Sequence, residues 1–170
     1  MLKGLKHIDP LHKAIIHKKT IEISYQSFKA KLPQIIVLYP YLLKEYRNRW
    51  FILGVNRKGK AIMILALDRI ENFKELNSEK YHKPEFDVNT YFDDVIGVSK
   101  APGQTAQTIV FKIDNDNAPY VITKPLHSSQ KLLKEEEDGM LFSIDVIWNF
   151  ELERELLGFG EKLQVLTPKR

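Results

Sequence analysis

The residues of this 170-residue sequence best suited to hold an anion are two arginines and a lysine, accompanied by three aromatic side chains. Arg69 directly follows Asp68 at the end of an apolar run, where a planar guanidinium can clamp a phosphate or a carboxylate. A structural pair with a neighbouring carboxylate or carbonyl is the alternative role for Arg69. The other candidates for ligand contact are Tyr25, Tyr41, Phe51, Arg57 and Lys58.

The aromatic candidates have both a binding and a structural interpretation. Tyrosines such as Tyr25, Tyr39 and Tyr41 can stack on bases, but tyrosine is also common in strands for packing reasons alone. Trp50 and Phe51 must point to opposite faces of a strand, because side chains alternate along it. Since large aromatic side chains are usually buried, we expect a structural role for Trp50 and leave the role of Phe51 open.

Catalytic and metal-binding patterns are absent from the sequence. The lack of cysteine excludes disulfides, thiolate catalysis and cysteine zinc sites. On a strand, His127 and Ser128 would face opposite ways, and no acid is placed to orient a pair of His127 and Ser129. The acidic run 135–138 lacks the alternating spacing of a calcium loop, and the remaining histidines lack zinc-protease spacing. We therefore expect no enzyme activity, no catalytic residue, no metal and no cofactor.

Composition indicates an ordinary globular protein of one domain or two small ones. Apolar residues make up 44% and charged residues 28% of the chain. No apolar run is long enough to span a membrane, and the N-terminus lacks the apolar core of a signal peptide, so we expect a cytoplasmic protein. Residues 1–100 carry 18 basic and 11 acidic side chains, whereas residues 101–170 carry 8 and 11. The basic half could attract a polyanion, although lysine-rich surfaces also serve solubility alone.

The first hundred residues predict one helix followed by several short strands. Asp9 can cap the helix, with Pro10 at its first position. Pro40 marks a strand end or a bend, and residues 89–95 favour a further short helix. Strands are expected over Thr20–Phe28, Ile35–Tyr41, Trp50–Val55, Ala61–Leu67 and Arg69–Leu76. One helix and several tightly connected strands indicate a small barrel or a strongly bent sheet.

The turn-rich stretch 101–105 is the best domain boundary, which gives domains over 1–100 and 106–170. Beyond it the pattern predicts the order β-α-β-β-α-β, the split β-α-β arrangement of ferredoxin-like folds. Asn149 is expected to cap the second helix of this domain. The predicted elements are strands at 108–113, 126–133, 141–148 and 163–166, with helices at 114–123 and after Asn149.

Several short motifs occur in a fixed order along the chain. Trp50-Phe51-Ile52 is followed by Gly54 and by Leu67-Asp68-Arg69-Ile70. With Ile23-Ser24-Tyr25, Pro40, Phe86-Asp87 and Gly97, these motifs resemble the WYL domain of bacterial transcriptional regulators, named for a Trp-Tyr-Leu triplet. The remainder resembles the C-terminal extension (WCX) that often follows a WYL domain. Its matching motifs are residues 125–130, Glu151-Leu152, Gly158-Phe159-Gly160 and Leu166-Thr167-Pro168.

The resemblance implies an α+β protein, with an Sm-like, SH3-type β-barrel followed by a ferredoxin-like unit. It also implies a ligand-sensing regulatory role, in which the barrel binds single-stranded nucleic acid or a nucleotide-like effector and the chain forms a homodimer. Most relatives carry a winged helix-turn-helix ahead of the WYL domain. No such element is evident in this sequence, so DNA contact would belong to an N-terminal domain not present here.

Two positions depart from the family pattern. Many relatives place one arginine shortly before the Pro40 equivalent and another in the strand before Asp-Arg-Ile. Ile36 and Met63 stand at about those positions here, which leaves Arg57, Lys58 and Arg69 as the basic candidates. The departures motivate an alternative, in which the chain is a dimerisation and scaffold module without ligand binding.

Overall fold

The computed structural model describes residues 4–168, which form two compact units. The chain divides between Tyr91 and Phe92, about ten residues before the turn-rich stretch that the sequence favours as a boundary. Residues 92–100 therefore belong to the second unit. No helix among the described residues is both long and apolar enough to cross a membrane.

The first unit is a five-stranded antiparallel sheet with one α-helix, and its strands have the order β4-β3-β2-β1-β5. A 3₁₀ turn over Leu67–Arg69 joins β4 to β5, and another over Leu5–His7 leads into the helix. The elements are α1 (Ile8–Ile16), β1 (Ile21–Tyr25), β2 (Gln34–Tyr46), β3 (Arg49–Asn56), β4 (Ile62–Ala66) and β5 (Ile70–Glu75).

A closed barrel is not found in residues 4–168. β4 and β5 lie at opposite edges of the sheet and are not paired with each other. What the sequence predicted as a barrel or a bent sheet is thus an antiparallel sheet with one helix against it. Its long central strand, β2, is irregular at Pro40, where the register with β3 shifts by one residue between Pro40 and Leu42. Pro40 therefore marks a bulge within the strand and does not end it.

The core of the first unit lies on one face of the sheet, against α1. Ile21, Ile23 and Tyr25 are buried on the same side of β1, because alternate residues of a strand share a face. Leu11 and Ala14 of α1 are fully buried against them. Asp9, however, is not the cap of α1: the capping position is His7, and Asp9 lies in the first turn without a capping hydrogen bond.

The second unit has the predicted order β-α-β-β-α-β, and its sheet has the order β7-β8-β6-β9 with all neighbours antiparallel. Residues 126–130, expected to begin a strand, form a loop instead, and residues 89–95 contain turns but no helix. The elements are β6 (Gln107–Ile113), α2 (Ala118–Thr123), β7 (Lys131–Glu136), β8 (Gly139–Val146), α3 (Phe150–Leu157) and β9 (Leu163–Thr167).

A separate core holds the second unit together. Phe111 of β6 and Phe142 of β8 stack with ring centroids 5.7 Å apart and an interplanar angle of 21°. Val121 of α2 and Leu152 of α3 are buried against the same face of the sheet. At the sheet edge, β7 pairs only with β8 and exposes about half of Leu132 and Leu133.

Asn149 holds residues 92–100 against the rest of the second unit. Its side-chain oxygen accepts a hydrogen bond from the backbone N–H of Leu152 at 2.8 Å, which caps α3 as the sequence predicted. Its amide nitrogen donates to the carbonyl oxygens of Ile96 and Ser99, each at 2.9 Å. Asn149 is only 7% exposed, and its bonds to Ile96 and Leu152 are buried.

We expect Asn149→Ala to lower the free energy of unfolding of the second unit by about 2–4 kcal/mol, because it removes a helix cap and leaves two carbonyls unpaired. Urea unfolding followed by Trp148 fluorescence in a Trp50→Phe background measures this change. The control is Asn115→Ala, since the Asn115 amide donates a single exposed hydrogen bond to the Glu137 carbonyl. Equal losses in the two variants would contradict the role assigned to Asn149.

Candidate functional site

The turn Leu67–Arg69 holds two buried polar atoms that lack hydrogen-bond partners. Leu67 enters the core at 1% exposure, which fixes the turn against the sheet. Asp68 Oδ2 lies 3.2 Å from Arg49 Nε, but Asp68 Oδ1 is buried and unpaired, as is Arg69 Nε. Buried polar atoms are nearly always hydrogen-bonded, so two unpaired atoms on adjacent residues make this turn a candidate site.

The Arg69 guanidinium lies over the ring of Phe28, with Cζ 4.0 Å from the ring centroid. Phe28 is 76% exposed in the loop between β1 and β2, and the backbone N–H of Gln26 in that loop donates to the Arg69 carbonyl oxygen at 3.1 Å. Lys29 and Lys31 are exposed in the same loop. The turn and the loop thus present an arginine, an open aromatic ring and two lysines together.

This arrangement suits an anion that carries a planar group. The guanidinium offers several N–H donors to a phosphate, while the Phe28 ring offers its surface to a base. Phe28 was not among the sequence candidates. The signal that could have identified it is an aromatic residue, Phe28, followed closely by Lys29 and Lys31, since single-strand nucleic-acid surfaces combine aromatic and basic side chains.

Arg57 and Lys58 do not join this group. They lie in the hairpin between β3 and β4, at the end of β4 opposite to the turn that carries Arg69. The Arg57 guanidinium is ion-paired with Glu79, and the Lys58 backbone N–H is bound by the Asn56 side chain at 2.8 Å. Both basic residues are exposed, so the hairpin forms a second, separate basic surface.

Tyr25 and Tyr41 are buried, at 9% and 8% exposure. Tyr25 is part of the core of the first unit, next to Ile70 of β5. The Tyr41 hydroxyl donates to the His82 carbonyl oxygen at 3.1 Å, and its ring packs edge-on against Tyr81 and Phe86. Neither ring has a face open to a base, so Arg69 is the only predicted site residue that the turn and loop bring to an aromatic surface in the described chain.

Burial keeps the tyrosines of this aromatic cluster neutral. Burial raises the pKa of Tyr81 to about 12, with a further contribution from Tyr41, and it also raises the pKa of Tyr41. The Tyr81 hydroxyl donates to the Pro40 carbonyl oxygen at 2.9 Å. These hydroxyls therefore act as hydrogen-bond donors that hold residues 81–82 on β2.

Trp50 and Phe51 lie on opposite faces of β3, as alternation requires. Trp50 packs against the core and lines a cleft of about 450 Å³ between α1 and the sheet, beside Ile8 and Leu43. Phe51 is half-buried and sits between Lys44 of β2 and Ala66 of β4. Ala66 directly precedes the turn that carries Arg69, so Phe51 lies next to the start of that turn in the sheet.

His127 and Ser129 are within hydrogen-bond distance of each other, although not through a shared strand face. Ser129 Oγ lies 2.8 Å from His127 Nδ1 in the loop before β7, and the same oxygen accepts from the Asp145 backbone N–H at 2.8 Å. Burial lowers the pKa of His127, while a bond to the Asp93 backbone and nearby carboxylates oppose the shift. The pair fastens the loop to β8, which is a structural role.

The acidic run 135–138 is held by lysines. Hydrogen bonds from Lys134 and Lys112 lower the pKa of Glu136 to about 2, and Lys112 also bonds Asp138. Within residues 4–168 no group of three histidine or acidic side chains could hold a metal ion.

Comparison with known families accounts for most of the chain. The model of the WYL domain matches residues 6–75, and that of the WCX domain matches residues 105–170. The chain consists of a WYL domain followed by a WCX domain. Arg69, Phe28 and the turn between β4 and β5 therefore all lie in the WYL domain. No match was found among curated proteins.

Two solved structures resemble this WYL–WCX chain. One, described as a CRISPR Cas-related protein, has a TM-score of 0.58 at 10% identity, over 98% of this chain and 48% of that one. The other is proteasome accessory factor B/C (PafBC) of Arthrobacter aurescens, with a TM-score of 0.49 at 19% identity, over 99% of this chain and 25% of that one. The chain thus spans half or less of these proteins. At such identity, the likeness to the first supports the fold alone.

We expect the WYL domain to lose stability as the pH falls below 6.5. Burial lowers the pKa of His7 below its ordinary value of 6.5, with Lys6 adding to the shift and a bond to Ile70 opposing it. The unfolded chain then binds more protons than the folded one, so the contribution of His7 is complete above pH 6.5 and declines on acidification.

The measurement is the urea midpoint of the WYL domain at about pH 7.5 and about pH 5.5, followed by Trp50 fluorescence in a Trp148→Phe background. In His7→Gln the difference between the two midpoints should shrink. An unchanged difference would assign the acid sensitivity to carboxylates instead.

Proposed function

We propose that this chain is the ligand-sensing regulatory module of a WYL-type transcriptional regulator, and that its effector is a nucleic acid or a nucleotide-like anion. The supporting observation is the Arg69 guanidinium, which has a buried, unpaired Nε and lies 4.0 Å from an exposed Phe28 ring. A regulatory role fits the WYL–WCX domain composition. DNA binding would then belong to a separate N-terminal domain.

We also propose a specific fold for each of the two domains. We infer that the WYL sheet is a partly open SH3-type barrel, because its strand order β4-β3-β2-β1-β5, the 3₁₀ turn before β5 and the bulge in β2 suit such a fold. The order β7-β8-β6-β9, with each helix connecting two strands that are separated by a third, suits a ferredoxin-like WCX domain.

The two departures from the family pattern reduce the number of basic residues that could contact an effector. Ile36 is 7% exposed in the core and Met63 packs against the same core. Apolar side chains at both positions support the sheet and add no positive charge. An effector of this chain would therefore depend on Arg69 with the loop lysines Lys29 and Lys31, and to a lesser degree on Arg57 and Lys58.

We expect Arg69→Ala to weaken binding of single-stranded nucleic acid about tenfold or more, because it removes both a phosphate donor and the partner of Phe28. Arg69→Lys should be intermediate, since lysine keeps the charge but not the planar fork. Fluorescence anisotropy with labelled oligo(dT) at low salt measures the affinity, and nucleotide second messengers serve as unlabelled competitors.

The matched control for this experiment is Arg154→Ala in the WCX domain. Arg154 also lies over an exposed phenylalanine, Phe150, at 5.3 Å, so its removal takes away a comparable charge and stacked pair. Its affinity should equal that of the wild type. If no oligonucleotide or nucleotide binds, or if Arg69→Ala and Arg154→Ala behave alike, the proposed effector class is wrong.

The second candidate function is a dimerisation and scaffold module without ligand binding. Exposed apolar side chains on the helices of the WCX domain favour it: Tyr120 is 68%, Phe150 60% and Leu157 77% exposed. We propose a cytoplasmic homodimer, but only the scaffold function depends on dimerisation. Sedimentation velocity of the purified chain separates them, since a strictly monomeric chain would remove the scaffold function.

A further inference from the structure

The N-terminal segment Gly4–His7 lies directly against the turn that carries Asp68 and Arg69. Gly4 has a φ of +85°, and a Cβ built on it would come within 2.6 Å of the Leu67 carbonyl carbon and 2.7 Å of the Asp68 nitrogen. Backbone thus meets backbone, with no side chain between them to absorb a displacement. The contact requires glycine for both its φ and its lack of a Cβ.

His7 holds the other end of the same turn. Its Nε2 lies 3.0 Å from the carbonyl oxygen of Ile70, the residue that follows the turn, and its ring packs edge-on against Phe73 at 6.0 Å. His7 is only 6% exposed. Gly4 touches the start of the turn and His7 touches its end, so residues 4–7 clasp it from both sides.

The clasped turn has an incomplete set of hydrogen bonds. Asp68 Oδ1 and Arg69 Nε are buried and unpaired, which penalises the turn in its present arrangement. An anion bound by the outer N–H groups of the Arg69 guanidinium holds that side chain in place and so stabilises the arrangement against which residues 4–7 pack. Stabilisation of one side of a direct contact stabilises the other, because the coupling between two sites is reciprocal.

We propose that the segment Gly4–His7 is the element through which the WYL domain reports an anion bound at Arg69, and that binding tightens the clasp. This inference rests on the proposed function, since it concerns the same site. The segment links the site to the N-terminal side of the domain through named contacts at Gly4 and His7. The coupling is positive. An anion bound at Arg69 holds residues 4–7 more firmly, and a change that loosens residues 4–7 weakens binding of the anion.

Limited trypsin digestion measures the clasp, because Lys6 is exposed within the segment. Cleavage after Lys6 releases a chain that begins at His7, and mass spectrometry follows its rate of appearance. Saturating oligo(dT) should slow this cleavage about fivefold or more in the wild type. Gly4→Ala should accelerate the cleavage in the free chain and weaken oligo(dT) binding by a corresponding factor.

The matched control is Gly103→Ala. Gly103 has a similar φ of +79°, but a Cβ there would meet no atom within 4 Å, so the variant adds backbone strain without disturbing a contact. It should leave both the cleavage after Lys6 and the oligo(dT) affinity unchanged. His7→Phe, which keeps a buried ring but removes the bond to Ile70, is a second clasp variant and should resemble Gly4→Ala.

A variant measured without ligand distinguishes a failure of this inference from a failure of the proposed function. Arg69→Met keeps an apolar stem of similar length but removes the unpaired Nε, so it should slow cleavage after Lys6 without any anion. If oligo(dT) binds the wild type but neither it nor Arg69→Met changes the cleavage, the clasp is not coupled to Arg69. If Arg69→Met slows the cleavage but oligo(dT) does not bind, the coupling stands and the effector class is wrong.

Discussion

The short turn Leu67–Arg69 is the constraint on which the WYL domain of this chain depends. It connects β4 and β5, which lie at opposite edges of one sheet, so the chain must cross the open side of the core within three residues. Leu67 fills the core at this crossing, and the same geometry draws Asp68 Oδ1 and Arg69 Nε out of water. The turn that joins the two edge strands therefore also carries the residues of the candidate site.

The WCX domain is organised differently: its two helices cover one face of a four-stranded sheet. Stacked Phe111 and Phe142 fill the centre of that face. Asn149 then joins the start of α3 to residues 96–99 through both ends of its amide. Each domain has its own apolar core and its own polar fastening, which explains why the chain divides into two units.

Local patterns predicted those features that depend on local chemistry. Asn149 caps α3 because an amide oxygen at that position reaches an N–H only three residues away. The start of α1 was predicted incorrectly, because contacts distant in sequence decide it. His7 is held by Ile70 and Phe73, and the helix begins after His7 without needing Asp9 as its cap.

The candidate site was predicted only in part for the same reason. Arg69 was identifiable from the Asp-Arg pair at the end of an apolar run, whereas its partner Phe28 lies in a loop whose position depends on the sheet. Tyr25 and Tyr41 have the residue type of a stacking surface but are buried. Residue type indicates what a side chain can bind, and only the fold decides whether its face is open.

The edge strand β7 has a consequence for the behaviour of the protein at high concentration. An unpaired edge with half-exposed Leu132 and Leu133 is the kind of surface from which aggregates grow. Lys131 and Lys134 flank the two leucines, and a bulge between Leu132 and Lys134 breaks the regular spacing of hydrogen-bonding groups. Because charged side chains and an irregular edge disfavour the addition of another strand, we expect the two lysines and the bulge to oppose fibrous self-association.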